Sequence, residues 1–415
     1  MKREAVVSIA VATLVAASVF FTLPANAEVS LKVSRWAGPQ AEAQRQLLEE
    51  YERKTGVKVK LDAIDFGQLK QKQTLNMSTR TGEYDLVYIP ESWLGEYAKA
   101  SFLAPLDAFV KDEKLTGPNW DFEDFSKAAL QVYTVGGSLQ ALPYFVQTPL
   151  LVYNKDALKD AGFAEPKTWE DLLKVATHFK QKGSGIALPF RQGTAIANLL
   201  AVLVAGNEGS FFDSSGKLAM TQPPVVESVR FMQDLGKQSL RGSNGWHWDE
   251  VSKALQFGQA PLGITVSGLF KGLENSADSN VAGKLGYAAI PYNKRPVGLI
   301  QSWAWAIPGD SKNKEEAFKL AAWLNGKASL AAMSKLDPSF ISFRASLASD
   351  SELVAKAPWL GTANKVLSNG VTLPLQPAAP QLLDALAAGL SGVVTNGNDP
   401  LKTLEQIQAA QSGKF

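Results

Sequence analysis

The stretch LKVSRWAGPQAEAQRQLLEEYERKTGVKVKL, residues 31–61, decides the fold class of this chain. Its first residues, 31–33, alternate apolar and polar side chains at strand period. Residues 40–55 then repeat apolar side chains at helical spacing, and Gly56 follows as a C-cap glycine does. Residues 57–61 alternate again. A strand, a helix and a strand in this order predict a βαβ unit, and therefore a parallel sheet with a right-handed crossover.

The chain beyond this unit repeats strands and helices of the same kind. Residues 85–89 form a short apolar run stopped by Pro90, which is typical of a strand buried on both faces. Residues 167–182 predict an amphipathic helix, with Thr168 and Asp171 at capping-box spacing. A chain of 415 residues suits two lobes better than one core. Because no linker stands out by composition, we expect short strands to join the lobes.

The N-terminus reads as an export signal. Lys2 and Arg3 precede an uncharged apolar run over residues 5–23, and Ala25-Asn26-Ala27 then offers small residues to a signal peptidase. We therefore predict a signal peptide over residues 1–27. An uncleaved membrane anchor is the alternative, since a run of about 19 residues just suffices to span a bilayer. The proline break and the A-x-A ending favour cleavage, which places the function outside the cytoplasm.

The composition of the chain narrows the compartment and the partners. There is no cysteine, so the exported chain has neither a disulfide nor the lipobox cysteine that tethers a lipoprotein. This predicts a free protein of the periplasm. There are 42 basic and 40 acidic residues, so the net charge of the chain is small. A chain with nearly balanced charges is not expected to bind nucleic acid or an anionic membrane.

Motifs for catalysis, metals and cofactors are absent from the sequence. The two histidines, His178 and His247, belong to no H-E-x-x-H, and no C-x-x-C, G-x-G-x-x-G, Walker A or G-x-S-x-G pattern occurs. We expect no metal and no cofactor. Paired acids for glycoside cleavage stay open, because the separation of two carboxylates is a three-dimensional quantity.

Three segments, in a fixed order, carry a resemblance to a known family. They are GSLQALPY (137–144) with LLVYNK (150–155) and PKTWED (166–171), then FGQA (257–260) to SGLF (267–270), then AWAIP (304–308) with SKNKEEA (311–317). The set resembles the signature of the family 1 extracellular solute-binding proteins, the carbohydrate-binding components of ABC importers. Each segment alone is weakly specific, whereas the ordered set extends over the whole mature chain and is specific.

The resemblance implies an α/β fold with two lobes, that of a periplasmic binding protein, and a hinge of crossing strands between the lobes. The implied bounds are residues 28–145 and 299–341 for lobe 1, and 146–298 and 342–415 for lobe 2. It further implies a monomer without enzymatic activity. Such a protein captures a monosaccharide, oligosaccharide or polyol in the cleft between the lobes, closes on it, and delivers it to the permease subunits in the inner membrane.

Thirteen side chains after predicted strands or at predicted crossings are candidate ligand contacts. Aromatic rings suit the C–H faces of a sugar, and polar groups suit its hydroxyls. The aromatic candidates are Trp36, Trp93, Phe145, Trp248, Phe270, Trp303 and Trp305, and the polar ones are Asp65, Glu91, Ser92, Gln147, Arg191 and Arg344. We expect Trp303 and Trp305 to point to opposite faces of their strand, so that only one contacts ligand directly.

The sequence departs from the maltose-binding branch of the family. Gln147 stands where that branch has an acidic residue, and Ile89 and Phe270 stand where it has tryptophans. The chain is therefore not expected to bind maltodextrins, and residues 302–305 look more like the branch that binds monosaccharides or polyols. Two alternatives remain: the same fold binding an organic osmolyte or amino-acid-like solute, and a secreted glycoside hydrolase or lyase, which turnover of an oligosaccharide would reveal.

Overall fold

The computed structural model describes residues 29–415 apart from residues 39, 118–119, 349 and 377, so the predicted signal peptide lies outside the described residues. Strands and helices alternate along this part of the chain. Its strands are β1 Ser30–Trp36, β2 Lys58–Ile64, β3 Leu86–Pro90, β4 Thr134–Val135, β5 Ser138–Leu139, β6 Leu142–Gln147, β7 Pro149–Asn154, β8 Ile186–Ala187, β9 Leu262–Val266, β10 Leu285–Ala288 and β11 Gln301–Ala306.

The helices lie between and after these strands. They are α1 Ala41–Thr55, α2 Phe66–Thr79, α3 Glu91–Lys99, α4 Glu113–Thr116, α5 Lys127–Val132, α6 Lys155–Asp160, α7 Trp169–Gln181, α8 Thr194–Gly206, α9 Pro223–Lys237, α10 Trp248–Gln256, α11 Phe270–Leu273, α12 Lys314–Leu324, α13 Lys327–Leu336, α14 Ala345–Ala348, α15 Ser351–Lys356, α16 Leu360–Leu367, α17 Ala379–Asn396 and α18 Pro400–Gln411. None of the helices in the described residues is long and apolar enough to cross a membrane.

The first sheet has five strands in the order β2-β1-β3-β11-β6. Strand β1 pairs in parallel with β2 and with β3, which confirms the βαβ unit predicted from residues 31–61. Gly56 ends α1 with a φ of 76°, a left-handed conformation that glycine adopts without steric cost. Strand β11 runs antiparallel to both β3 and β6, so β6 points the same way as the three parallel strands.

The second sheet has four strands in the order β10-β7-β9-β8. Strand β7 is antiparallel to β10 and β9, and β8 is parallel to β9. Helix α7 packs on this sheet and begins with the predicted capping box: Asp171 N donates to Thr168 Oγ1 at 3.1 Å, and Thr168 N donates back to the Asp171 carboxylate at 3.0 Å.

Each sheet has its own apolar core, and this division makes two lobes. One core surrounds the first sheet with α1, α3, α12 and α13, and another packs α8, α9, α17 and α18 against the second sheet. A third cluster lies between β7, α10, α11 and α16 and includes Phe270 and Trp359.

Short segments carry the chain between the sheets. It passes from the first sheet to the second between Gln147 and Pro149, and it returns between Ala288 and Gln301. Backbone bridges fasten these passages, from Leu299 to Val371 and from Val146 to Ile341. The residue bounds of the two lobes stay a prediction.

Candidate functional site

A cavity of about 480 Å³ lies between the two sheets and is lined by residues of both. In the first sheet, β1, β2, β3 and β6 all end at the same edge, because they point in one direction. Trp36 at the end of β1, Asp65 after β2, Glu91 after β3 and Gln147 at the end of β6 therefore line the cavity together. Ligand sites at the carboxyl ends of strands are usual in open α/β sheets.

The opposite wall comes from the second sheet and from two helix N-termini. Val266 ends β9, and Arg191 lies shortly after β8. Thr194 at the start of α8 and Trp248 at the start of α10 complete this side. The first turns of two helices thus face the strand ends of the other lobe across the cavity.

Phe66 is the most exposed aromatic side chain of the cavity wall, with 38% of its surface accessible. It begins α2, which Asp65 caps by accepting a hydrogen bond from Gly67 N at 2.9 Å. Its ring lies edge-on to Trp36 and to Trp303, each at 5.8 Å, and is stacked on Trp93 at 5.9 Å. These rings hold Phe66 in place and leave part of it open to a ligand.

Trp303 lines the cavity, but most of its ring surface packs against neighbouring side chains. It lies nearly parallel to Trp36, at 5.5 Å and 15°, and to Tyr88, at 4.9 Å and 17°. Only 5% of its surface is exposed. A ligand therefore finds less of Trp303 than of Phe66.

Glu91 is a buried carboxylate in the cavity wall, only 4% exposed. Its Oε2 accepts hydrogen bonds from Ser302 N at 2.7 Å and Ser302 Oγ at 3.2 Å, and Ser302 Oγ also lies 2.9 Å from the hydroxyl of Tyr133. Burial raises the pKa of Glu91 to about 7, although the bonds from Ser302 act the other way.

The positive charge of the opposite wall is already paired. Arg191 Nη1 lies 3.1 Å from Glu250 Oε1, and Glu250 also accepts from His247 N at 2.7 Å. Burial, and then the charge of Arg191, lowers the pKa of His247, so that the ring is neutral at neutral pH. Among the described residues lining the cavity, Arg191 is thus the one permanent cation.

The two lobes also contact each other directly beside the cavity. Gln40 Nε2 donates to Gly268 O at 3.5 Å, a long hydrogen bond between the first lobe and the second. Lys271 N donates to Ser339 Oγ at 2.7 Å. Movement of the lobes during closure around a ligand would change the geometry of these two hydrogen bonds.

The structure brings eight of the thirteen candidate residues to the cavity. They are Trp36, Asp65, Glu91, Ser92, Gln147, Arg191, Trp248 and Trp303. Their role in ligand binding stays a prediction. The other five, Trp93, Phe145, Phe270, Trp305 and Arg344, do not line it.

Trp93 and Phe145 lie just behind the cavity wall. Trp93 is 8% exposed and its ring stacks on that of Phe66. Phe145 is 1% exposed and stacks on Phe340 at 5.4 Å. Phe270 is fully buried in the third core cluster, against Tyr287 at 4.9 Å and Trp359 at 5.7 Å.

The prediction that Trp303 and Trp305 point to opposite faces is wrong. Residues two apart on a strand share a face, and both rings contact Tyr88, at 4.9 and 4.7 Å. Trp305 lies deeper in the sheet and is fully buried, so that it supports the site from within the core.

Arg344 forms hydrogen bonds with backbone carbonyl groups inside the protein and has a structural role. It is fully buried, and its guanidinium donates to the carbonyl oxygens of Asn325 at 2.7 Å, Trp120 at 2.8 Å and Asp121 at 2.8 Å. The same group lies 4.3 Å from the centre of the Phe125 ring. These contacts fasten the segment that follows α13 to the first lobe, which explains why Arg344 does not reach the cavity.

Sequence reasoning missed several residues that line the cavity. They include Gln40, Phe66, Thr194, Asn198, His247, Asp249, Leu269 and Gln301. Phe66 and Gln301 lie next to predicted strand ends or crossings, so their positions carried a usable signal. Thr194 and Asn198 lie on an almost wholly apolar helix, where nothing local indicates which end faces a cleft.

Acidic and histidine side chains near the cavity do not form a metal site. Within the described residues there is no group of three or more His, Cys, Asp or Glu side chains that could hold a metal ion.

A model of the family described as bacterial extracellular solute-binding protein matches residues 37–331. A probable amino-acid ABC transporter periplasmic-binding protein of Sinorhizobium fredii is 25% identical over 77% of this chain and 74% of its own length. The mannitol-binding protein of Pseudomonas aeruginosa is 23% identical over 66% of this chain and 63% of its own.

The fold has a close counterpart among solved structures. The crystal structure of an ABC transporter solute-binding protein from Agrobacterium radiobacter, in complex with ribitol, superposes with a TM-score of 0.84. It is 26% identical and covers 93% of this chain and 99% of that chain. The match includes both lobes.

Proposed function

Because this chain belongs to the bacterial extracellular solute-binding protein family, we propose that it is the substrate-binding component of an ABC importer for a carbohydrate or polyol. The family and the two-lobe α/β fold predicted from the sequence are confirmed. The ligand enters the cavity between the lobes, and closure of the lobes presents it to the permease.

The observation that carries the proposal is the mixed lining of the cavity. Phe66 is 38% exposed in the cavity wall and offers ring surface to the C–H groups of a sugar, and Glu91, Gln147, Asn198 and Gln301 offer polar groups to its hydroxyls. Polyhydroxylated molecules present these two kinds of surface on one compact body. A few polar groups within an aromatic and apolar wall are typical of small-molecule sites.

The charges of the lining disfavour an anionic or zwitterionic solute. Among the described residues, the lining has three carboxyl groups, Asp65, Glu91 and Asp249, and one cation, Arg191, which already pairs with Glu250 at 3.1 Å. The carboxylate of an amino-acid-like ligand would have either to share Arg191 with Glu250 or to bind without a cation, and either arrangement weakens its attraction to the site. A neutral ligand does not need a cation in the site.

The aromatic rings also disfavour a quaternary ammonium such as betaine. A cation of this kind is held in a box of rings that enclose it. Here the rings of Trp36, Phe66, Trp93 and Trp303 contact one another at 5.5–6.3 Å and form a packed wall. The partly exposed ring of Phe66 suits contact with a sugar better than caging of a cation.

The proposal includes no chemical step, and it places the protein in the periplasm as a monomer. The secretory signal over residues 1–27 directs export, with Glu28 as the mature N-terminus. The partners are the solute and the permease subunits, and nucleic acid is not among them. N-terminal sequencing of protein from an osmotic-shock fraction tests this part, because an uncleaved chain in the membrane fraction would contradict it.

A thermal-shift screen tests the ligand class. Ribitol, D-mannitol, D-tagatose and maltose form one panel, and L-glutamate, L-lysine, glycine betaine and glycerol 3-phosphate form the other. At 100-fold excess over its Kd, a ligand adds about 2.7 kcal/mol to the free energy of unfolding. We expect a shift with a member of the first panel; a shift with the second panel alone would overturn the proposal. Incubation with an oligosaccharide should release no product.

A further inference from the structure

Arg35 is a buried cation near the end of β1, next to the cavity residue Trp36. Its side chain is 1% exposed. Within the described residues no carboxylate forms an ion pair with it, whereas Arg344, which is also buried, lies 3.4 Å from Asp124. Burial lowers the pKa of Arg35, but a guanidinium keeps its proton in proteins. A buried cation of this kind is unfavourable unless other groups replace the water that it has lost.

Two backbone carbonyl groups take the place of that water. Arg35 Nε donates to Trp36 O at 3.0 Å, and Arg35 Nη1 donates to Gln40 O at 3.1 Å. Trp36 ends β1 and Gln40 precedes the first residue of α1, and both line the cavity. The guanidinium therefore fixes, from the buried side, both ends of the segment that joins β1 to α1.

The guanidinium also supports the aromatic part of the cavity wall. It lies 5.1 Å from the centre of the Tyr88 ring. Tyr88 stacks on Trp303 at 4.9 Å, and Trp303 stacks on Trp36 at 5.5 Å. The indole of Trp36 also lies against Gly38, where an added Cβ would be 2.7 Å from the ring. These contacts form a closed circuit that returns to Arg35, so a displaced guanidinium would displace the rings as well.

We propose that Arg35 is a positioning residue for ligand binding, which holds Trp36 and Gln40 in the geometry that the ligand requires. This inference rests on the proposed function. Arg35 acts through these two residues and does not itself line the cavity. A lysine cannot replace it, because Nε and Nη1 are separate donors of a planar fork, whereas the N–H groups of a lysine lie on one nitrogen.

Arg35→Lys and Arg35→Met test the proposal. The lysine keeps the charge without the fork. The methionine removes both and buries no charge, so it serves where the lysine variant does not fold. We expect the affinity of either folded variant for the best binder among ribitol, D-mannitol, D-tagatose and maltose to fall roughly tenfold, measured by calorimetry. The near-UV circular dichroism of the ligand-free variants should also change, because the stack of Trp36 on Trp303 is disturbed.

Arg344→Lys is the matched control. Arg344 is also buried and also donates to backbone carbonyl groups, but it lies outside the cavity, so the folded variant should keep its affinity. Native affinity of the Arg35 variants, or an equal loss of affinity in Arg344→Lys, would overturn the inference and leave the proposed function intact. Failure of both Arg35 variants to fold would also overturn it, since it would indicate a general structural role. Failure of all four solutes to bind the unaltered protein would overturn both.

A double variant distinguishes positioning from a general disturbance of the lobe. If Arg35 acts through Trp36, the affinity lost by Arg35→Lys combined with Trp36→Phe should be smaller than the product of the two single losses. Residues that act independently would give the full product, and that result would overturn the inference.

Discussion

Glu91 and Ser302 lie 211 residues apart in the chain and meet in the wall of the cleft, where Glu91 Oε2 accepts from Ser302 N at 2.7 Å and from Ser302 Oγ at 3.2 Å. The contact joins the end of β3 to β11, its antiparallel neighbour in the first sheet. It also holds a carboxylate in a place where water does not reach it freely. The protonation state of Glu91 therefore bears on the stability of the lobe.

We predict that Glu91 makes the protein less stable as pH rises. Burial raises its pKa from 4.5 in the unfolded chain to about 7, so the folded state holds the proton more tightly. The stabilisation is fully present below about pH 4.5 and is lost as pH rises through about 7, a change on the order of 3 kcal/mol. Urea unfolding of the unaltered protein and of Glu91→Gln across this range isolates the effect. Parallel stability profiles of the two proteins would contradict the prediction.

We predict that Phe66→Ala weakens ligand binding more than it weakens the fold. Phe66 is 38% exposed, so truncation removes a stacking surface while the rings beneath it remain packed. A loss of affinity of roughly tenfold or more for the best-binding polyol or sugar is expected. Phe257→Ala is the control, because Phe257 is 51% exposed and lies outside the cavity. Equal affinities of the two variants would refute a role for Phe66.

Trp303→Ala should behave differently from Phe66→Ala. Trp303 is 5% exposed and packs on Trp36 and Tyr88, so its loss opens a void in the core of the first lobe. We expect a decrease in the free energy of unfolding of about 3–5 kcal/mol together with weaker binding. Urea unfolding and calorimetry on the same sample separate the two effects. Native stability of Trp303→Ala would show that the contacts of this ring contribute little to the free energy of unfolding.

The sequence predicted those parts of the fold and site that depend on local pattern. Strand ends follow from periodicity and from Pro90, and side chains placed after those ends, such as Glu91, reach the cavity because parallel strands end at one edge. Asn198 could not be found this way, because its position at the cavity depends on how α8 packs against α9 and α17 in the second lobe. Arg344 was misplaced because a buried guanidinium and a ligand-binding one look alike in sequence.

We predict that Arg344→Lys destabilises the protein without changing the ligand contacts. A lysine keeps the charge, but its three N–H groups lie on one nitrogen and cannot replace Nε, Nη1 and Nη2 of Arg344, which donate to Asn325 O, Asp121 O and Trp120 O. The loss is on the order of 3 kcal/mol, since a buried network is left partly unsatisfied. Arg45→Lys, at an exposed pair with Glu42, should change stability by less than about 0.5 kcal/mol. Weaker ligand binding by Arg344→Lys at native stability would contradict the prediction and indicate that Arg344 contacts the ligand.

We predict that Gly298→Val weakens ligand binding while the protein stays folded. Gly298 lies on the segment that returns the chain from β10 to β11, and a Cβ there would be 2.8 Å from Val366 O on α16. That oxygen belongs to a helix backbone, so the crossing segment has to move away, and the lobes then close less well on the ligand. Gly361→Ala, on the same helix, is the control, because a Cβ there meets nothing within 4 Å. Small-angle scattering with and without the best-binding polyol or sugar should show compaction in the control and less in Gly298→Val. Equal compaction and equal affinity in both variants would show that the hinge does not depend on this close approach.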